Sequence, residues 1–156
     1  MKLSLAIRKA RKEDIPQILQ LCEAHAAYEK AEYYGHGKAD RLSRDLFGKS
    51  PKLSCLVVVS EGRLLGYATY MVQYSTWDAA PYLYLDCLYL KEIIRGMGVG
   101  SKIFKELRKV AVKEGCFQLQ WQTPEFNTGA IGFYRAQGAV SKRKYRFFLE
   151  SSDNTN

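Results

Sequence analysis

Apolar positions along the 156-residue chain change period several times, and each change marks an element. "LSLAIRKA", near the start, alternates apolar and polar side chains as a strand does. From Asp14 the spacing switches to helical. Ile15, Ile18, Leu19, Cys22 and Ala26 share one face, Pro16 falls in the tolerant first turn, and Asp14 stands where a cap belongs. "ADRLSRDLF" reads as a second short helix. "LSCLVVVS" and "LLGYATYMVQYS", joined by "EGR", form a hairpin. After the loop "TWDAAP" comes "YLYLDCLYL", apolar on both faces and so expected inside a sheet. Ile103, Leu107, Val110 and Ala111 then recur opposite Lys102, Lys105, Arg108, Lys109 and Lys113, an amphipathic helix ending near Gly115. "FQLQWQT" is a strand, "NTGAIGFYRAQG" a capped helix stopping at Gly138, and "KYRFFLE" a last strand. The order β-α-α-β-β-β-α-β-α-β predicts an α/β fold around a mixed sheet. With no repeat and no linker, residues 1–150 read as one domain and "SSDNTN", 151–156, as a polar tail.

Composition narrows the classes. Hydrophobic residues make up 47% and aromatics 13% of the chain, as in a globular protein that buries one core. No stretch approaches the roughly 18 uninterrupted apolar residues of a membrane helix, and the start has no apolar leader core, so a cytoplasmic location without membrane contact is expected. Cys22, Cys55, Cys87 and Cys116 are widely spaced inside apolar segments, which favours buried free thiols over disulfides. His25 and His36 are the only histidines and lie in separate contexts, so no metal site is expected; a lone helical histidine is usually structural or solvated. The net charge of +8 raises the possibility of a nucleic-acid partner. The positive charges are dispersed, however, and no nucleic-acid motif accompanies them, so none is expected.

"IIRGMGVGSKIF" carries the clearest chemistry. Gly96, Gly98 and Gly100 remove the side chains that would hold a ligand off the backbone. The helix that follows adds unsatisfied N–H groups and a partial positive charge at the same point. A phosphate or pyrophosphate is the leading ligand class, against the plain alternative of a linking turn. The spacing fits neither the dinucleotide fingerprint nor the mononucleotide loop. "GKS" at Gly48–Ser50 lacks the first glycine and reads as a turn.

Two motifs in order carry a family resemblance. "RGMGVG", with Arg95, Gly98 and Gly100 in an [QR]-x-x-G-x-[GA] pattern, resembles the coenzyme A pyrophosphate loop of the GNAT superfamily of acetyl-CoA-dependent N-acetyltransferases. "NTGAIGFYRAQGA" at Asn127–Ala139 is similar to that family's downstream segment. The resemblance spans Ile7 to Leu149. "YLYLDCLYLKEIIRGMGVGSKIF", the early "AAYEK" and a tryptophan before the central strand are closest to the spermidine/spermine (diamine) acetyltransferase branch. Cys87 stands where that branch has a second acid, and Lys142, Arg143 and Lys144 replace an acidic stretch.

The resemblance implies acetyl transfer from acetyl-CoA to a primary amine of a polyamine, diamine or amino-acid-like molecule by direct attack. A protein amine as acceptor, or a coenzyme-binding module without turnover, are the alternatives. It implies that Leu88, Tyr89 and Leu90 offer main chain to the pantetheine. Arg95, Gly96, Met97, Gly98, Val99, Gly100 and Ser101 would hold the pyrophosphate, and Asn127 and Ala130 would add contacts. Tyr134 would act as the acid for the departing thiolate. Asp86 would act as the base that removes a proton from the ammonium; for a carboxylate in an apolar strand a structural ion pair stays an open alternative. Tyr28, Glu29, Trp77, Gln120 and Gln122, with Asp86, would line the acceptor pocket; for Glu29 an exposed helix-end pair stays equally open. A homodimer is expected from the same branch.

Overall fold

The computed structural model describes residues 2–152, so the tail beyond Ser152 lies outside the described residues. The described residues fall into two compact units, one up to Pro124 and one from Glu125 on. The first contains β1 (Ala6–Lys9), α1 (Ile15–Tyr28), α2 (Lys38–Phe47), β2 (Ser54–Ser60), β3 (Arg63–Ser75), β4 (Ala80–Leu90), α3 (Val99–Lys113) and β5 (Leu119–Trp121). The second contains α4 (Thr128–Ala136). The strands form one sheet in the order β1-β2-β3-β4-β5. All pairs are antiparallel except β4 with β5, so the sheet is mixed as expected. β4 lies inside the sheet between β3 and β5, and helices cover both faces there, which accounts for its apolar residues on both.

Each face of the sheet is sealed by helices. On one, Ile15, Ile18 and Leu21 of α1 and Leu46 of α2 close over Cys55, Val57, Leu64 and Tyr67. On the other, α3 packs on β4 and β5, bringing the buried residues Ile103, Phe104, Leu107 and Ala111. Each fully buried Ile, Leu or Phe side chain contributes about 1.5–3 kcal/mol. α1 is anchored at its start by Asp14, which accepts Arg8 Nη1 at 2.7 Å, Arg8 Nη2 at 3.0 Å and the Arg11 N–H at 2.7 Å. Asp14 occupies the N-cap position of α1 but makes no side-chain cap bond there. Its oxygens are committed to Arg8 and Arg11 instead, tying β1 to the base of the helix.

The element order follows the sequence reading through α4, and the last expected strand does not form. Residues 144–150 carry no ladder, and Tyr145, Phe147 and Leu149 are 91%, 90% and 98% exposed. Alternating composition gives a segment strand propensity but cannot supply the partner a strand requires.

Candidate active site

The site of the first unit starts from an irregularity in β4. Thr69 of β3 pairs with Cys87, yet the next residue, Tyr70, pairs with Leu85, so Asp86 is the extra residue of a β-bulge. The bulge shifts the alternation of β4 by one. Cys87 and Tyr89 keep the α1 face, while the apolar phase passes from Leu90 and Leu88 to Leu85 and Leu83. Asp86, extruded by the bulge, is exposed. Among residues 2–124 no Lys or Arg pairs with it; its neighbour is the Cys87 thiol, 3.6 Å from Oδ2. The alternative of a structural ion pair has no partner there.

Just beyond the bulge β4 loses its parallel neighbour, because pairing with β5 ends at Leu85 opposite Trp121. The Lys91 N–H donates to Leu65 O at 2.8 Å, so odd-numbered residues here turn their polar groups toward β3. Leu88 and Leu90 therefore turn theirs toward the side that β5 has left. The Leu90 carbonyl accepts Arg95 Nε at 2.8 Å. The same guanidinium lies over the Tyr28 ring at 4.6 Å and the Tyr89 ring at 5.6 Å. Arg95 thus turns back over these rings on the α1 side.

The glycine loop is bare main chain. Gly96 and Gly98 are left-handed, φ 74° and 79°, and a Cβ built on either meets nothing within 4 Å. The first bond of α3 is Lys102 N–H to Gly98 O at 3.2 Å. Among the described residues, the N–H groups from Gly96 to Gly100 donate to no main-chain carbonyl. Free donors, open space and a helix start are what a diphosphate requires, so these residues fit the tail of a coenzyme.

Opposite the bulge, the end of α1 supplies side chains. His25 Nδ1 is 2.8 Å from the Tyr67 hydroxyl, and Nε2 is 3.4 Å from Glu29 Oε1. The imidazole stacks on Tyr89 at 5.3 Å between centroids, and Tyr28 tilts against the same ring. Burial holds the His25 pKa below its ordinary value, although Glu29 and Asp86 pull it upward. Burial also raises the Tyr67 phenol. The Cys87 thiol is pushed up to about 12, by burial first and then by the charge of Asp86. That thiol is no ready nucleophile at neutral pH.

The remaining expected residues are dispersed. Gln122 Nε2 donates to the Tyr84 hydroxyl at 2.7 Å, and Gln120, in register with Tyr84, donates to Gln118 Oε1 at 2.7 Å. Both border the β4–β5 seam on the side before the bulge. Trp77 is not brought to the cluster: it is 98% exposed at the tip of the β3–β4 hairpin, about 20 Å of strand away from Asp86. Asn127 is the N-cap residue of α4 but makes no side-chain cap bond; its carbonyl receives the Ile131 N–H at 3.1 Å. Ala130 lies in the first turn of α4, and the Phe133 and Tyr134 rings are 5.7 Å apart within that helix. His25 is the residue that sequence reasoning discounted. The signal was present, since positions 25, 28 and 29 fall together on one helical face.

A mixed sheet with a bulge at an acidic residue, a strand left open beyond it and a glycine loop at a helix start defines an acyl-transfer scaffold. Residues 12–139 match the Acetyltransferase (GNAT) family, and the chain belongs to that family of acetyltransferases. It is similar to the thialysine N-epsilon-acetyltransferase of Bos taurus, 36% identical over 85% of this chain and 82% of that protein. It is also similar to the spermidine/spermine N(1)-acetyltransferase-like protein 1 of Homo sapiens, 30% identical over 86% of this chain and 20% of that one. The fold is shared with the aminoglycoside N-acetyltransferase AAC(6')-Iy, solved in complex with CoA: TM-score 0.75, 15% identity, 97% of this chain and 98% of that one.

Proposed function

We propose that the protein transfers the acetyl group of acetyl-CoA to a primary amine of a small cation, a polyamine or a lysine-like amino acid, with residues 1–150 acting as one catalytic domain. The observation that carries this reading is the placement of Asp86, extruded on a bulge and unpaired by Lys or Arg among residues 2–124, two residues before the outward-turned main chain of Leu88. Acetyl-CoA supplies an activated acetyl thioester, its diphosphate tail held by the N–H groups from Gly96 to Ser101. Leu88 and Leu90 orient its amide arm, and the Leu88 N–H polarises the acetyl carbonyl. Asp86 takes a proton from the arriving ammonium, whose ordinary pKa is about 10.4, and the neutral amine attacks. The C–N bond forms as the C–S bond breaks, and Tyr134 gives its proton to the departing sulfur. The proton that the nitrogen sheds on becoming an amide returns to the Tyr134 phenolate, and the one held by Asp86 leaves to solvent. The high Cys87 pKa favours this direct route over an acyl-cysteine.

Glu29, Asp86 and the carbonyl end of α1 attract the acceptor's positive charge. A homodimer is the assembly expected of the diamine acetyltransferase branch that the sequence resembles. Free thiols at Cys22, Cys55, Cys87 and Cys116 fit a cytoplasmic location. The test is thiol release from acetyl-CoA with spermidine, thialysine and a lysine peptide. Release with spermidine or thialysine, falling about 100-fold in Tyr134→Phe, supports the reading. Release with the peptide alone, or with none of the three, overturns it.

A further inference from the structure

We infer that His25 is a positioning residue for the acceptor. Held by Tyr67 on one ring nitrogen, it presents an N–H from the other to Glu29 and so fixes the carboxylate that receives the substrate's positive charge. The inference rests on the proposed function for the identity of that cation. The geometry itself stands independently.

The tautomer follows from the two contacts. Tyr67 is buried, with its hydroxyl 2.8 Å from His25 Nδ1. If Nδ1 carried the proton, Nε2 would turn a lone pair toward Glu29 Oε1 at 3.4 Å, lone pair against carboxylate. With the proton on Nε2, the Tyr67 hydroxyl donates to Nδ1 and Nε2–H turns its positive end toward Glu29 at 3.4 Å, so both contacts are favourable. Stacking on Tyr89 restrains the ring plane. Glu29 closes the end of α1, with its side chain one-third exposed, where a solvent-borne ammonium can reach it.

The charged and titratable groups around His25 come from every packed element. Cys22 and Glu29 lie on α1, Tyr67 on β3, and Asp86, Cys87 and Tyr89 on β4, while Arg95 beyond β4 covers the far side of Tyr89 and Lys38 of α2 acts on Cys22. A proton added to His25 places a cation beside Glu29 and Asp86 and forces the Tyr67 hydroxyl to turn away. The carboxylates then attract an incoming ammonium less. Because burial keeps the His25 pKa low, this loss falls on the acid side of neutrality.

Two measurements test this. NMR titration of the apo protein should show the Nε2–H tautomer, and His25 should titrate at lower pH in Glu29→Gln than in wild type. An Nδ1–H tautomer, or an unchanged titration, overturns the inference whether or not the protein turns over. Calorimetry with spermidine or thialysine, whichever amine releases thiol, should show about tenfold weaker binding in His25→Leu, the size of one hydrogen bond to a charged group. No further loss should appear when His25→Leu is added to Glu29→Gln. His25→Gln should restore the affinity and abolish its fall at acid pH. Additive losses, or an equal loss of acetyl-CoA affinity, would mark His25 as merely structural. If neither amine releases thiol in wild type, the proposed function fails, and the titration still decides the His25–Glu29 link.

Discussion

The two sides of the site are made from opposite materials. On the α3 side, the loop from Gly96 to Gly100 offers main-chain N–H groups and almost no side chain, with open space where each Cβ would stand at Gly96 and Gly98. On the α1 side, His25, Glu29, Tyr67, Asp86, Cys87 and Tyr89 are gathered from one helix and two strands, and the work falls to their side chains. Under the proposed function the difference matches the two ligands. A diphosphate is invariant and can be met by fixed amides, whereas an acceptor amine must be selected and deprotonated, which takes groups that can be exchanged one at a time.

The largest expected effect falls on the side-chain half. Asp86→Asn should lower turnover about 100- to 10,000-fold while acetyl-CoA affinity by calorimetry stays unchanged. A matching loss of coenzyme affinity would break the division. Gly98→Val tests the other half: a branched side chain at φ 79° costs about 1–2 kcal/mol and projects into the ligand's space. Acetyl-CoA binding should weaken about tenfold or more while His25 titrates as in wild type.

Asp14→Asn sharpens the comparison from a distance, because it loosens the base of the helix that carries His25 and Glu29. Stability should fall about 2 kcal/mol, the scale of a charge-assisted pair this well covered. Arg8 holds the Asp14 carboxyl below its ordinary pKa. Its stabilisation is therefore present above the unfolded value near 4 and is lost as pH falls through the lower folded value. Chemical denaturation of wild type and Asp14→Asn should show their gap closing below about pH 4. The smallest effect belongs to Trp77→Ala. With the ring 98% exposed at the hairpin tip, acceptor KM should move less than about twofold; a larger rise would return Trp77 to the acceptor side.

The periodicity of the chain determined the helices, the first five strands and the mixed sheet, because burial on one face writes itself into spacing. The glycine loop was legible for a related reason: a ligand that needs bare backbone excludes side chains, and that exclusion is visible letter by letter. The tertiary structure decided what depends on pairing. Whether residues 144–150 form a strand turns on a partner that local propensity does not encode. Whether Asp86 is extruded turns on a one-residue register shift against Thr69 and Tyr70. Whether His25 is a solvated helix residue or a ring held by a hydroxyl and stacked on an aromatic turns on Tyr67 and Tyr89, more than forty positions further along the chain. Side-chain chemistry that arises from contacts between distant segments leaves no period to read, and only folding brings it together.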